Sequence, residues 1–130
     1  MASARVFRRF EGTISTSGAA TADAALTLSS SSREDLWLLH SVYIHPTTVG
    51  APAATYDIRL SEASGWTNGD HEERYANTSN DVADRVQDIF ATSIPVKADS
   101  SGLIHLRVTF NAGTTHTVTY SVDFEHVTGN

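Results

Sequence analysis

The residues best suited to chemistry lie in one short stretch, His71-Glu72-Glu73-Arg74-Tyr75, preceded by Asp70. A histidine followed by glutamate opens a zinc-protease helix, but that motif needs a second histidine where Tyr75 stands. His71 and Glu73 also have the H-x-E spacing of zinc deaminases, whose partner cysteines cannot exist in a chain without cysteine. Asp70, His71, Glu72 and Glu73 could gather around a cation, yet adjacent acids in a polar loop are ordinarily solvated charges. No metal and no cofactor is expected. The other histidines do not change this. His116 and His126 would be roughly 33 Å apart along one strand, and the odd spacing of His40 and His45 sends them to opposite faces. No G-x-S-x-G elbow, phosphate-binding loop or dinucleotide fingerprint occurs. The expectation is a protein that is not an enzyme.

Three further groups could bind rather than react. Arg5, Arg8 and Arg9 form a small basic cluster near the start, readable as strand flanks or as an arm (residues 1–10) docking an acidic surface. Residues 36–45, LWLLHSVYIH, are apolar on both faces of an extended segment. Leu36, Leu38, His40, Val42 and Ile44 share one face, and Trp37, Leu39, Ser41, Tyr43 and His45 the other. A sandwich strand needs one apolar face for its own core, so the second is covered by the chain itself or by a partner. On the partner reading Trp37, Leu39 and Tyr43 are the anchors. Trp66 and Tyr75, in a polar segment, would be the platform of a carbohydrate- or receptor-binding site.

These groups must be positioned by strands. The chain has 130 residues, one domain's worth, and without disulfides it must hold by packing and strand pairing. Residues 104–110 and 116–124 alternate apolar and polar almost without error around Gly113, and read as a closing hairpin. Val6–Ile14, a short segment at Leu26 and Leu28, the run 36–45 and TYDIRLS at 55–61 read as further strands. Residues 15–24 read as a loop, 62–80 as a long irregular segment. Residues 81–90 fit a short helix through Val82, Val86, Ile89 and Phe90, or a strand through Val86, Asp88 and Phe90; the helix or a turn is preferred, leading into an extended SIPVKA. Six to eight such strands make an antiparallel β-sandwich or jelly roll.

With 15 acidic against 9 basic residues the net charge is −6, which disfavours nucleic-acid binding. No segment reads as a secretory signal or a membrane span. The pattern IPVKADSSGLIHLRVTFNAGTTHTVTYSVDFEHV, with TYDIRLS upstream, resembles the small β-sandwich virion proteins of tailed bacteriophages, of the capsid decoration (cement) and head-fibre type. The resemblance covers about the C-terminal half and is one of texture, so it assigns no individual residue. It implies a dimer or trimer bound to a capsid or other virion protein, located in the virion. The competing expectation is the carbohydrate- or receptor-binding module at 62–80.

Overall fold

The computed structural model describes residues 4–16, 20–28, 36–51, 53–63 and 73–128. Eight strands follow one another: β1 (Ala4–Ser15), β2 (Thr21–Thr27), β3 (Leu36–Thr48), β4 (Thr55–Ser61), β5 (Glu73–Asp81), β6 (Val86–Lys97), β7 (Leu103–Phe110) and β8 (Thr117–Thr128). They form two four-stranded antiparallel sheets, ordered β1-β8-β3-β6 (sheet A) and β2-β7-β4-β5 (sheet B). The pairings β1–β8, β2–β7, β3–β6 and β4–β5 are nested. The chain is thus one long hairpin, doubled back between β4 and β5 and rolled up, which is a jelly roll. The β3–β8 and β4–β7 pairings lock the roll into its two sheets.

Period-2 alternation makes the core. In β7, Ile104, Leu106, Val108 and Phe110 are buried; in β4, Tyr56, Ile58 and Leu60; in β8, Val118, Val122 and Phe124. Each apolar side chain removed from water contributes roughly 1.5–3 kcal/mol, offset by the entropy of ordering the chain. The two open sides of the sandwich are closed differently. Between β5 and β6, Asp88 accepts hydrogen bonds from the Tyr75 hydroxyl and from Asn77 Nδ2 (3.0 Å). Between β1 and β2, Arg8 Nη1 donates to the carbonyls of Thr27 and Leu28, both at 3.0 Å.

Several expectations change. β7 and β8 are not a hairpin: they lie in opposite sheets, and residues 111–116 carry the chain across the gap. His116 plugs that crossing. It is buried and stacks flat on Phe110 at 3.8 Å; Nδ1 accepts from Gly50 N–H (3.2 Å) and Nε2 donates to Ala112 O (2.8 Å). The loop expected over 15–24 gives way to β2 from Thr21, and the irregular segment over 62–80 contains β5. Its residues 64–72 lie outside the described residues. Residues 81–90 are not helical. Asp81 accepts from Ala83 N–H through Oδ1 (2.8 Å) and from Asp84 N–H through its carbonyl (2.9 Å), a tight turn, and the chain then runs straight into β6. Residues 4–10 are not an arm, because β1 pairs with β8 along its whole length.

Gly50 sits where β8 approaches the loop after β3. A Cβ there would stand 2.7 Å from the backbone carbonyl oxygen of Thr115, and backbone cannot move aside as a side-chain tip can. Gly50→Ala is expected to lower unfolding stability by about 1–3 kcal/mol, read as a lower denaturation midpoint in urea at unchanged m-value.

Candidate functional site

β3 carries a one-residue bulge at His40. Against β8, Leu39 stands opposite Phe124 and Ser41 opposite Asp123, leaving His40 without a place in the ladder. Against β6 the pairing jumps from Ile94 to Ile89 at the same point. An extra residue reverses which side chains face inward beyond it. Before the bulge Trp37 and Leu39 are inside; after it Val42 and Ile44 are. Leu36, Leu38, His40, Ser41, Tyr43 and His45 therefore share the outer face of sheet A. His40 and His45 lie on the same face, against the expectation from their spacing.

His40 fills the bulge and is clamped there. Its Nε2 donates to Glu125 Oε1 at 2.7 Å, and its Nδ1 lies 3.0 Å from the Ser93 hydroxyl. Glu125 is only 2% exposed although it projects from the outer side of the sheet. Phe7 and Leu38 are its cross-strand neighbours in β1 and β3, and the Phe7 ring lies 6.0 Å from His40. The order hydroxyl, imidazole, carboxylate has the membership of a nucleophilic triad. The two clefts beside it, however, are lined by neither Ser93 nor His40. Holding the extra residue of β3 in place is the role the contacts support.

One row further along the sheet, Asp123 accepts from Arg9 Nε (2.7 Å) and Nη2 (3.2 Å) and from Ser41 Oγ (2.7 Å). Arg9's hydrogen bonds are the chief cause holding the Asp123 carboxyl below its usual range, against some desolvation and with help from Ser41. Beyond it a shallow cleft of about 300 Å³ opens between Tyr43, Gln87, Ser121 and Ile89.

The face is mixed: Thr13, Ser15, Thr117, Thr119 and Ser121 keep it polar at one end, and a few large apolar side chains stand exposed elsewhere. Val6, Phe7, Leu36 and Ile89 are the exposed large hydrophobic residues among the described ones, and all four belong to sheet A. Phe7 is 69% exposed, Leu36 60% and Ile89 74%. Sheet B presents the opposite surface. Its outer face carries the Arg107–Asp23 pair (2.7 and 2.8 Å), Arg59 beside Glu73 (3.6 Å) and the Thr21–Thr109 hydroxyl contact.

The structure redistributes the sequence candidates. Trp37 and Leu39 are core residues at 4% and 0% exposure, and Trp37 stacks on His126 at 4.6 Å; they cannot anchor a partner. Tyr43 does lie on the outer face, half-buried. Arg5 stands in β1 opposite Val127, Arg8 is engaged with β2 carbonyls, and Arg9 with Asp123. Trp66 lies outside the described residues. Tyr75 is buried, edge-on to Phe90 at 5.7 Å, with its hydroxyl bonded to Asp88. Burial first, and Asp88 second, push its ionisation well above the ordinary phenol value. It is a core residue, not a sugar platform. Sequence reasoning missed Glu125, Ser93 and Asp123. It also passed over Phe7, although an aromatic among Arg9, Glu11 and Thr13 on the wet face of β1 was a readable signal. Among the described residues no group of three metal-ligating side chains assembles.

No family model matches the sequence, and no curated protein matches it. Two solved structures that align with it come from assemblies. A chain of the Bacillus endospore appendages, described as a novel family of disulfide-linked pili, aligns over 99% of this chain and 93% of its own, with 9% identity and a TM-score of 0.45. A chain of the virus-like particle of extra small virus from the giant freshwater prawn Macrobrachium rosenbergii aligns over 91% and 79%, with 10% identity and a TM-score of 0.32. At similarities this low neither likeness bears on what this chain does.

Two outcomes follow from the clamp. His40→Ala leaves a buried carboxylate without its imidazole and should cost about 1–3 kcal/mol in urea unfolding. Asp123 has a folded pKa below its unfolded value, so its contribution is full above the ordinary carboxylate pKa of about 4. That contribution is lost as the pH falls through the lowered folded value. Asp123→Asn should therefore flatten the fall of stability below about pH 4, measured as denaturation midpoint against pH.

Proposed function

We propose that the protein is a non-enzymatic structural protein that docks against other subunits of a protein assembly through the outer face of sheet A. The observation that carries this is the asymmetry of the two faces. Both sheets carry ion pairs and hydroxyl contacts on their outer faces, but among the described residues the exposed large apolar side chains, with Phe7, Leu36 and Ile89 on the outer face, all belong to sheet A. Large apolar side chains left exposed on one face and not on the other point to that face as a contact surface. The jelly roll itself hosts capsid and lectin domains alike, so it does not choose between them; the exposed apolar residues of sheet A favour docking. Tyr75 in the core removes one of the two aromatics of the carbohydrate-binding alternative.

The finer reading is a virion protein that binds and stabilises a phage capsid as a decoration or cement subunit. The texture of the C-terminal half supports it, as does a net charge of −6, unsuited to packaging nucleic acid. Its mechanism is mass action: a subunit that binds the assembled shell and not its free components shifts the equilibrium toward the shell. The partner would then be a major capsid protein.

Trp37→Ala is no test of docking, because removing a buried tryptophan costs about 3–5 kcal/mol and unfolds the chain first. Ile89→Lys is the informative change. Its side chain is in solvent, so stability should move by less than about 0.5 kcal/mol. Docking, read by co-sedimentation with capsid shells, should weaken roughly tenfold or more. Arg59→Glu on sheet B should leave it unchanged; equal loss in both variants would refute docking through sheet A.

A further inference from the structure

We infer that β1 is a self-complementary edge, and that two copies of this chain pair antiparallel along it about a two-fold axis at Phe10. Edge strands present unpaired backbone groups, and soluble proteins protect them with bulges, prolines, shortness or covering contacts. Three of the four edges here have one of the first three. β6 carries Pro95 and the irregular pairing at 90–93. β5 has two register shifts and a left-handed residue, Ser79, at φ 61°. β2 has only seven residues. β1 has no bulge, proline or shortness to protect it; its protection is its charged side chains and the reach of Arg8 to the β2 carbonyls. It runs twelve residues, its register with β8 is unbroken, and it contains neither proline nor lysine.

The apolar residues on the inner side of β1 are also incompletely covered. Val6 is 45% exposed, and Phe10 and Ile14 are half-buried, whereas the inward residues of β4 and β7, the central strands of sheet B, are fully buried. A groove of about 490 Å³ runs along this edge between Phe7, Phe10 and Thr27 of β2.

The occupant is set by the sequence of the edge itself. In an antiparallel pair of identical strands, side chains stay on matching faces only if the two-fold passes through a residue. Centred on Arg8 or on Arg9, the pair would oppose an arginine to its own copy; centred on Glu11 it would oppose glutamate to glutamate. Centred on Phe10, Arg9 of each copy faces Glu11 of the other, twice. Phe10 meets Phe10, Val6 meets Ile14, and Arg8 falls opposite Gly12, over which the Tyr120 ring with its hydroxyl lies. This register pairs Arg5 with Ser15 at its ends and so engages all of β1 but Ala4. Arg9 and Glu11 are already ordered for it, 3.7 Å apart on the outer face and both more than half exposed. Opposite charges directly across a ladder stabilise it, and like charges destabilise it. The pairing joins two copies of sheet A edge to edge and places their outer faces side by side. Edge pairing and face docking are independent, and either can fail alone.

The test uses the full chain, which has no cysteine of its own. Arg9→Cys and Glu11→Cys variants, each on an exposed position, should form a disulfide dimer under mild oxidation only when mixed with each other. Phe10→Cys alone should cross-link to itself, and Thr13→Cys should not. In sedimentation experiments Glu11→Arg should raise the dimer Kd roughly tenfold, with Glu11→Gln in between. A wild-type chain that stays monomeric at every concentration, a dimer indifferent to Glu11→Arg, or cross-linking of Arg9→Cys to itself would each overturn the register.

Discussion

The arrangement of sheet A depends on one extra residue in β3. Without the bulge at His40, strict alternation would turn Ser41, Tyr43 and His45 into the core along with Trp37 and Leu39, and would push Val42 and Ile44 out. With it, both ends of a thirteen-residue strand deliver apolar side chains inward. The bulge is not left to itself: His40 is held between a buried carboxylate on β8 and a hydroxyl on β6. A buried carboxyl is costly to leave without hydrogen bonds, and His40 supplies one to Glu125. The clamp therefore fixes the register of three strands at once and decides what the outer face displays.

The rest of the sandwich follows from rolling a long hairpin. Every neighbour pairing except β4–β5 joins strands far apart in sequence, so the fold closes only when distant segments meet, a topology associated with slow folding. Side-chain contacts finish what the ladders leave open. Asp88 draws Tyr75 and Asn77 across one side, Arg8 reaches the β2 carbonyls on the other, and His116 stacks in the crossing from β7 to β8. These polar residues are structural, and they account for most of the histidine, arginine and tyrosine chemistry that the sequence advertised.

How much of this was legible from sequence varies with the physics of each element. β4, β7 and β8 were readable because period-2 alternation is the direct imprint of one buried face. Their partners were not, because alternation says that a strand has an inside and not which sheet it joins; β7 and β8, adjacent in sequence, landed in opposite sheets. The apolar run of β3 was recognised, but a bulge leaves no mark on composition, and a one-residue slip reassigned Trp37 and Leu39 from surface to core. In 81–90 the valines satisfied a helical spacing by accident, since a turn at Asp81–Asp84 separates them. β5 escaped notice because an edge strand with Asn77, Thr78, Ser79 and Asn80 has the composition of a loop. Of the candidate site, Tyr43 and Arg9 were identified, whereas the pairing of His40 with Glu125 needed the three-dimensional register.

On the proposed reading, association uses the outer face of sheet A and not that of sheet B. The most direct measurement is side-chain footprinting by hydroxyl radicals, read by mass spectrometry, on the dilute chain and on the concentrated or shell-bound chain. Phe7, Leu36 and Ile89 should lose reactivity on association, while Leu103 on the outer side of sheet B keeps its own. Protection of Leu103 with Phe7, Leu36 and Ile89 unchanged would contradict the account.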